Sequence, residues 1–233
     1  MKRFYKAVNI APDGSGWQVV LDGKPIRTPA KAAQVVPAMA LAKAMALEWS
    51  AQGPEINPAN FTFRNMADYA IDVVARDPAA ATADLLRYAE TDTLCYRAEA
   101  GEALAERQKQ VWEPLLRAAE ARWDVHFERV DGILHRPQAA ATLKRMEAIL
   151  TPLDTFTTAA LTTLTTLAAS LVIGLAALED GSDGEALWAA ANLEEDWQAE
   201  QWGKDAEALA LRARRLAEFS AAMRFAGLVR GQV

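Results

Sequence analysis

The sequence predicts an α+β protein in two parts: a small N-terminal β-rich domain over residues 1–62, an antiparallel meander with a packed helix, and a larger mainly α-helical domain over residues 63–233. Three observations carry this reading. The opening residues form short apolar runs punctuated by Gly, Pro and Asp, as expected of strands joined by tight turns. From Asn65 onward apolar residues recur at three- and four-residue spacing, the period of a helix. Apolar residues make up 52% of the 233 positions, which excludes general disorder and is enough for one sizeable core or two modest ones.

Taken in order, Arg3 to Ile10 reads as a strand, Pro12 to Gly16 as a turn cluster, and Trp17 to Leu21 as a second strand. Asp22-Gly23 then suits a two-residue hairpin into Lys24 to Thr28, since both residues tolerate positive φ. Between Pro37 and Gln52, Leu41, Met45 and Trp49 form one apolar stripe on a helix that Gly53-Pro54 ends. Glu55 to Phe63 is irregular, the passage to the second domain. Asn65 is a candidate N-cap for a helix carrying Met66, Tyr69, Ala70, Val73 and Val74. Asp77-Pro78 opens the next helix, which runs through Glu90. Thr93 to Ala98 and Val125 to Val130 read as short strands, candidates to pair with each other. Between them a helix carries Trp112, Leu115, Leu116, Ala119 and Trp123, with Pro114 as an expected kink. Further helices are expected over Gln138 to Leu150, Leu153 to Leu178 and Glu185 to Leu228.

Thr155 to Leu178 is a run of 24 residues without a charge, long enough to span a bilayer. Seven of them are Thr, however, and Glu179-Asp180 follows at once with neither basic flank nor aromatic belt. A buried helix at the centre of a helical domain, with small side chains that allow close approach, is preferred to stable membrane insertion.

Signals for chemistry are sparse. A net charge of -6 gives no clustered basic face for nucleic acid. Gly14-Ser15-Gly16 sits in a turn, and Gly23-Lys24 is followed by Pro25 where a phosphate loop needs Ser or Thr. His126 and His135 lack metal-ligand spacing, so neither metal nor cofactor is expected. The single cysteine, Cys95, lies between Leu94 and Tyr96 and reads as a small buried hydrophobe. The N-terminal MKRFYKAVNIAP has no apolar signal core, which points to a protein of a reducing compartment. A small hydrolase or transferase using Asp92 or Glu195 as general base is the alternative reading, although no partner constellation accompanies either residue.

Charge is segregated near the end of the chain. Ten acidic residues and one basic residue, Lys204, lie between Glu179 and Glu207, followed by Arg212, Arg214, Arg215, Arg224 and Arg230. On a helix, Glu195, Gln198, Trp202 and Asp205 form one stripe, and Glu194, Gln198, Gln201 and Asp205 a second. Either the block is an ordinary solvated face, with Trp197 or Trp202 in the core, or an aromatic anchor among acids marks a binding site.

Several blocks in fixed order carry a resemblance. These are Arg3-Phe4-Tyr5-Lys6, Leu21 to Pro29, Leu47-Glu48-Trp49, Tyr88 to Ala98, Arg107-Gln108 with Trp112 to Leu116, and Leu193-Glu194-Glu195 through Gln198 to Trp202-Gly203. With them the chain resembles the ATP synthase assembly factors that chaperone the alpha subunit of the catalytic head, the F1 complex assembly factor 2 family. Glu113 stands where Asp is common in that family, and Thr93 where Leu is usual. The resemblance implies a non-enzymatic, cofactor-free chaperone that binds the unassembled alpha subunit as a monomer until the beta subunit takes over. It implies the bacterial cytoplasm, or the mitochondrial matrix for eukaryotic relatives. It also implies an important acidic position at Glu194 or Glu195; Glu195 is preferred because it shares a stripe with Gln198 and Trp202. The expected partner-binding set is Glu194, Glu195, Gln198, Trp202 and Asp205.

Overall fold

The computed structural model describes residues 1–132, 135–203 and 205–231; Lys204, counted above in the acidic block, lies outside them. The chain divides into two compact units. The first comprises Met1–Pro78, Asp154–Ala160 and the described part of Ala221–Val233, the second Ala79–Leu153 and Leu161–Ser220.

The first unit contains the expected meander. Strands β1 (Val8–Asp13), β2 (Gly16–Leu21) and β3 (Lys24–Pro25) pair antiparallel in the order β1-β2-β3. Asp13 faces Gly16, so the first hairpin needs only Gly14-Ser15, and β1 runs later than the sequence suggests. Leu21 faces Lys24 across Asp22-Gly23, whose φ angles of 49° and 79° are the left-handed values expected of that dipeptide. Asp22 also accepts the backbone N–H groups of Ala7 and Lys6, which hold its carboxyl below the usual range.

Helix α1 (Met39–Ser50) packs on β1 and β2 through Leu41, Met45 and Trp49, all buried. Its end is tied to the N-terminal segment. The Tyr5 hydroxyl donates to the Trp49 carbonyl at 2.6 Å, and Arg3 donates to the Gln52 carbonyl at 2.6 Å while covering the Tyr5 ring. Helix α2 (Thr62–Tyr69) starts before the expected Asn65, because its first-turn N–H groups find their acceptor far away in sequence. The Glu48 carboxylate accepts from Phe63 at 2.6 Å and Arg64 at 2.9 Å; its burial outweighs those bonds and raises its pKa. A single π turn, Ala70–Val74, continues α2. Phe225 stacks with both Phe63 and Phe156.

The second unit is helical: α3 (Pro78–Glu90, whose first residue closes the first unit), α4 (Ala103–Trp123), α5 (Ala140–Leu150), α7 (Leu171–Ala177), α8 (Gly184–Ala191) and α9 (Leu193–Trp202). Helices α6 (Thr155–Ala168) and α10 (Ala206–Val229) are divided between the units. The expected short strands shrink to β4 (Tyr96–Arg97) and β5 (Val130–Asp131), which do pair, in parallel. The first half of Thr93 to Ala98, Thr93–Cys95, is instead a 3-10 turn, with Asp92 accepting from the Leu94 N–H. Arg97 and Arg129 bind Glu113, and Arg129 also binds Glu120.

The uncharged stretch is not one helix. It breaks at Ala169, where φ is 49°, and Ser170 caps α7 by accepting from the Ile173 N–H. Asp92 reaches the same point, accepting from the Val172 N–H at 3.0 Å, and the Thr93 hydroxyl donates to the Ala169 carbonyl. Beyond the break α7 folds back closely on α6: a Cβ added at Gly174 would collide with the Thr165 hydroxyl oxygen. Among the described residues no helix is long and apolar enough to cross a membrane.

Candidate functional site

The acidic block folds as three helices rather than the single one expected over Glu185 to Leu228. Helix α8 ends at Asn192, whose side chain donates to the Trp188 carbonyl at 2.8 Å. Helix α9 follows with Glu194, Glu195 and Asp196 in its first turn, where the helix dipole favours negative charge. It stops at Gly203, φ 94°, and Asp205 then opens α10 by accepting from the Ala208 N–H at 3.0 Å.

One face of α9 is committed to α4. Leu193 is buried, and Glu194 accepts from the side chain of the fully buried Gln108 at 2.6 Å. Arg107 covers the ring of Trp197 at 5.6 Å and forks onto Glu200 at 2.5 and 2.9 Å. The opposite face looks toward α10. There Arg212 holds Asp196 in a two-pronged ion pair, one bond of which measures 2.7 Å.

That second face and the start of α10 enclose a groove of about 600 Å³. Glu195, Gln198, Ala199 and Trp202 line it from α9, at positions that recur on one helical face. Ala208, Leu209, Leu211 and Arg215 line it from α10, with Asp205 at the corner. Trp202 is 80% exposed, and Leu209 and Leu211 are 46% and 37% exposed, so the groove presents apolar surface to solvent. Among the described residues Glu195 has no hydrogen-bond or ionic partner, unlike Glu194, Asp196 and Glu200.

Four of the five expected residues, Glu195, Gln198, Trp202 and Asp205, therefore line one groove. Glu194 does not join them, because its side chain faces α4. Asp205 reaches the groove as the cap of α10, since the helix carrying the stripe ends before it. The ambiguity between the tryptophans is resolved: Trp197 is half-buried under Arg107 and Trp202 is exposed. The sequence reading missed Asp196, Arg212, Leu209 and Leu211. Nothing local could have signalled them, because their roles depend on the reversal at Gly203.

A second groove of about 560 Å³ lies among α4, α7 and α8, with Val111, Leu115 and Ala176 in its lining and the Arg122–Glu179 ion pair, 3.1 Å, on it. Asp92 lines neither groove. It is fully buried, and burial raises its carboxyl to about 6 against the lowering pull of the Val172 N–H. Cys95 is fully buried and its thiol is held far above its ordinary range by burial and by Asp92. His126 lies beside Glu120, and His135 bonds the Tyr96 hydroxyl at 2.8 Å. Among the described residues no three His, Cys, Asp or Glu side chains converge as a metal site.

Comparison with known proteins bears on the whole arrangement. The profile of the ATP12 chaperone protein family matches residues 2–120, the stretch from the N-terminal segment through most of α4. The crystal structure of Atp12 from Paracoccus denitrificans superposes with a TM-score of 0.91 at 38% identity, covering 98% of each chain. Atu1473 of Agrobacterium tumefaciens also superposes with a TM-score of 0.91, at 41% identity over 97% of this chain and 85% of that one. The mitochondrial protein atp12 of Schizosaccharomyces pombe is 25% identical over 214 residues, 87% of this chain and 74% of its own. With more than half of the sequence matched by the profile and nearly all of the fold shared with Paracoccus Atp12, the chain belongs to the ATP12 chaperone family.

Proposed function

We propose that the protein is an assembly chaperone of the F1 ATP synthase that binds the unassembled alpha subunit through the α9–α10 groove. It holds that subunit until the beta subunit takes over. Membership of the ATP12 chaperone family supports the chaperone part of this reading. The observation that carries the site is the 80% exposed Trp202 on the same face as the unpartnered Glu195.

The physical logic is that of a temporary cover. A subunit awaiting its partner exposes an assembly surface larger than soluble monomers tolerate, and it aggregates. A chaperone that must later release this surface does better with a modest, partly polar contact than with an obligate interface. An exposed indole and leucines supply the apolar part, while Glu195 and Asp205 fix register by pairing with basic side chains. No catalytic step is needed. The complex forms where the F1 head is assembled, in the bacterial cytoplasm for this chain and in the mitochondrial matrix for its eukaryotic relatives.

The test is light scattering of purified F1 alpha subunit diluted without nucleotide, alone or with this protein. Suppression that saturates near equal concentrations and weakens with Glu195→Lys supports the reading. Unchanged aggregation without co-elution on a sizing column rejects the client.

A further inference from the structure

We infer that the α9–α10 groove recognises an arginine side chain of the client, seated against the Trp202 indole and paired with the Glu195 carboxylate. The inference rests on the assignment of this groove to the client. Its basis is a comparison within the molecule itself. Among the described residues, helix α9 carries three carboxylates with partners and one without: Glu194 is held by Gln108, Asp196 by Arg212 and Glu200 by Arg107. On the face toward α4, an arginine lies over a tryptophan and forks onto a carboxylate: Arg107 with Trp197 and Glu200. The groove face repeats the aromatic and the carboxylate, Trp202 and Glu195, but of the two arginines that line it Arg212 is held by Asp196 and Arg215 makes no ion pair with Glu195.

The geometry of the helix allows one side chain to meet both. Glu195 and Trp202 are two turns apart, about 10 Å along the axis. Helical side chains lean toward the helix N-terminus, which is the direction from Trp202 toward Gln198 and Glu195. A planar guanidinium can stack on the ring while its edge donates to the carboxylate, which a lysine ammonium cannot do. Asp205, on the other side of Trp202, retains a carboxylate oxygen beyond the one that accepts from Ala208. Leu209 and Leu211 offer apolar surface to the residue beside the arginine. Arg212 is neutralised by Asp196, and Arg215 offsets one of the two remaining carboxylates, Glu195 and Asp205, which leaves the groove a net charge of -1. Selection is therefore by local pairing rather than by a broad negative field.

The test combines affinity with footprinting on purified F1 alpha subunit. Glu195→Gln is expected to weaken binding about tenfold, and Trp202→Leu, which keeps an apolar side chain, about three- to fivefold. The double variant should lose less than the product, because both residues hold one group. Arginines of the alpha subunit are then modified with phenylglyoxal and its lysines with an acetylating reagent, and protection is read by mass spectrometry. The expected result is an arginine protected in the wild-type complex that becomes reactive again in complexes saturated with Glu195→Gln. If the complex forms but every protected arginine stays protected with both variants, or only lysines change, the arginine seat is refuted while the client stands. If the wild-type protein does not bind the alpha subunit at all, the client assignment fails first and this inference with it.

Discussion

Replacing Asp92 by asparagine removes a charge that the fold keeps in its interior, and the consequence can be worked out as a pH dependence of stability. The two carboxylate oxygens accept from Leu94 and Val172, each at 3.0 Å, joining the 3-10 turn to the first turn of α7. Burial raises the carboxyl from 3.8 to about 6 despite these bonds. Between those values the folded chain keeps a proton that the unfolded chain has lost, so stability falls as pH rises through the window. At 1.36 kcal/mol per unit, the ionised carboxylate costs the native state about 3 kcal/mol once pH exceeds the folded value, of which about 2 kcal/mol develops between pH 4.5 and 7.5. The carboxamide of the Asp92→Asn variant would not titrate. It would leave one N–H poorly accepted at every pH, a constant loss of about 1–3 kcal/mol. Urea unfolding of both proteins, followed by tryptophan fluorescence from pH 4.5 to 7.5, isolates the effect, since other carboxylates cancel in the difference. The stability of the wild type relative to the variant should fall by about 2 kcal/mol from pH 4.5 to pH 7.5. Parallel pH profiles would show that burial does not govern this carboxyl.

The remaining predictions concern packing, capping and the site. Gly174→Ala should destabilise by about 1–3 kcal/mol, because the new methyl meets the buried Thr165; thermal melts should show partial rescue by adding Thr165→Ala. Glu48→Ala should cost about 1–2 kcal/mol by stripping the acceptors from Phe63 and Arg64, measured by urea unfolding and circular dichroism. Gln108→Leu should lower stability by about 1–3 kcal/mol, since it leaves the Ala98 N–H without its acceptor and releases Glu194 from α4. Glu194→Gln should disturb capture of the alpha subunit less than Glu195→Gln does, because the amide oxygen it introduces could still accept from Gln108 whereas Glu195 lines the groove. Equal losses in a binding titration would remove the distinction drawn between the two.

Local chemistry was legible in this sequence wherever the deciding groups lie within a few residues of one another. Asp22-Gly23 determined a hairpin because both residues tolerate left-handed backbone, and φ values of 49° and 79° result. Pro78 determined where α3 begins, and the spacing of Leu41, Met45 and Trp49 determined which face of α1 is buried. The ordered blocks determined the family.

Tertiary structure decided what depends on groups distant in sequence. The uncharged stretch breaks at Ala169-Ser170 where Asp92, 80 residues before Val172, supplies an acceptor for the new helix end. Nothing in a periodic run of Thr, Leu and Ala marks that point, because a helix break is stabilised by whatever caps the freed backbone groups. The same holds at the site. Glu194 and Glu195 are adjacent acids with the same propensities, and Trp197 and Trp202 are equally apolar. Their roles separated only when α4 brought Gln108 and Arg107 to one side of α9, and the reversal at Gly203 brought Arg212 and Leu209 to the other. Periodicity determines which residues share a helical face; the neighbour that face meets is set by the fold, and the neighbour decides whether a carboxylate is satisfied within the chain or left for a partner.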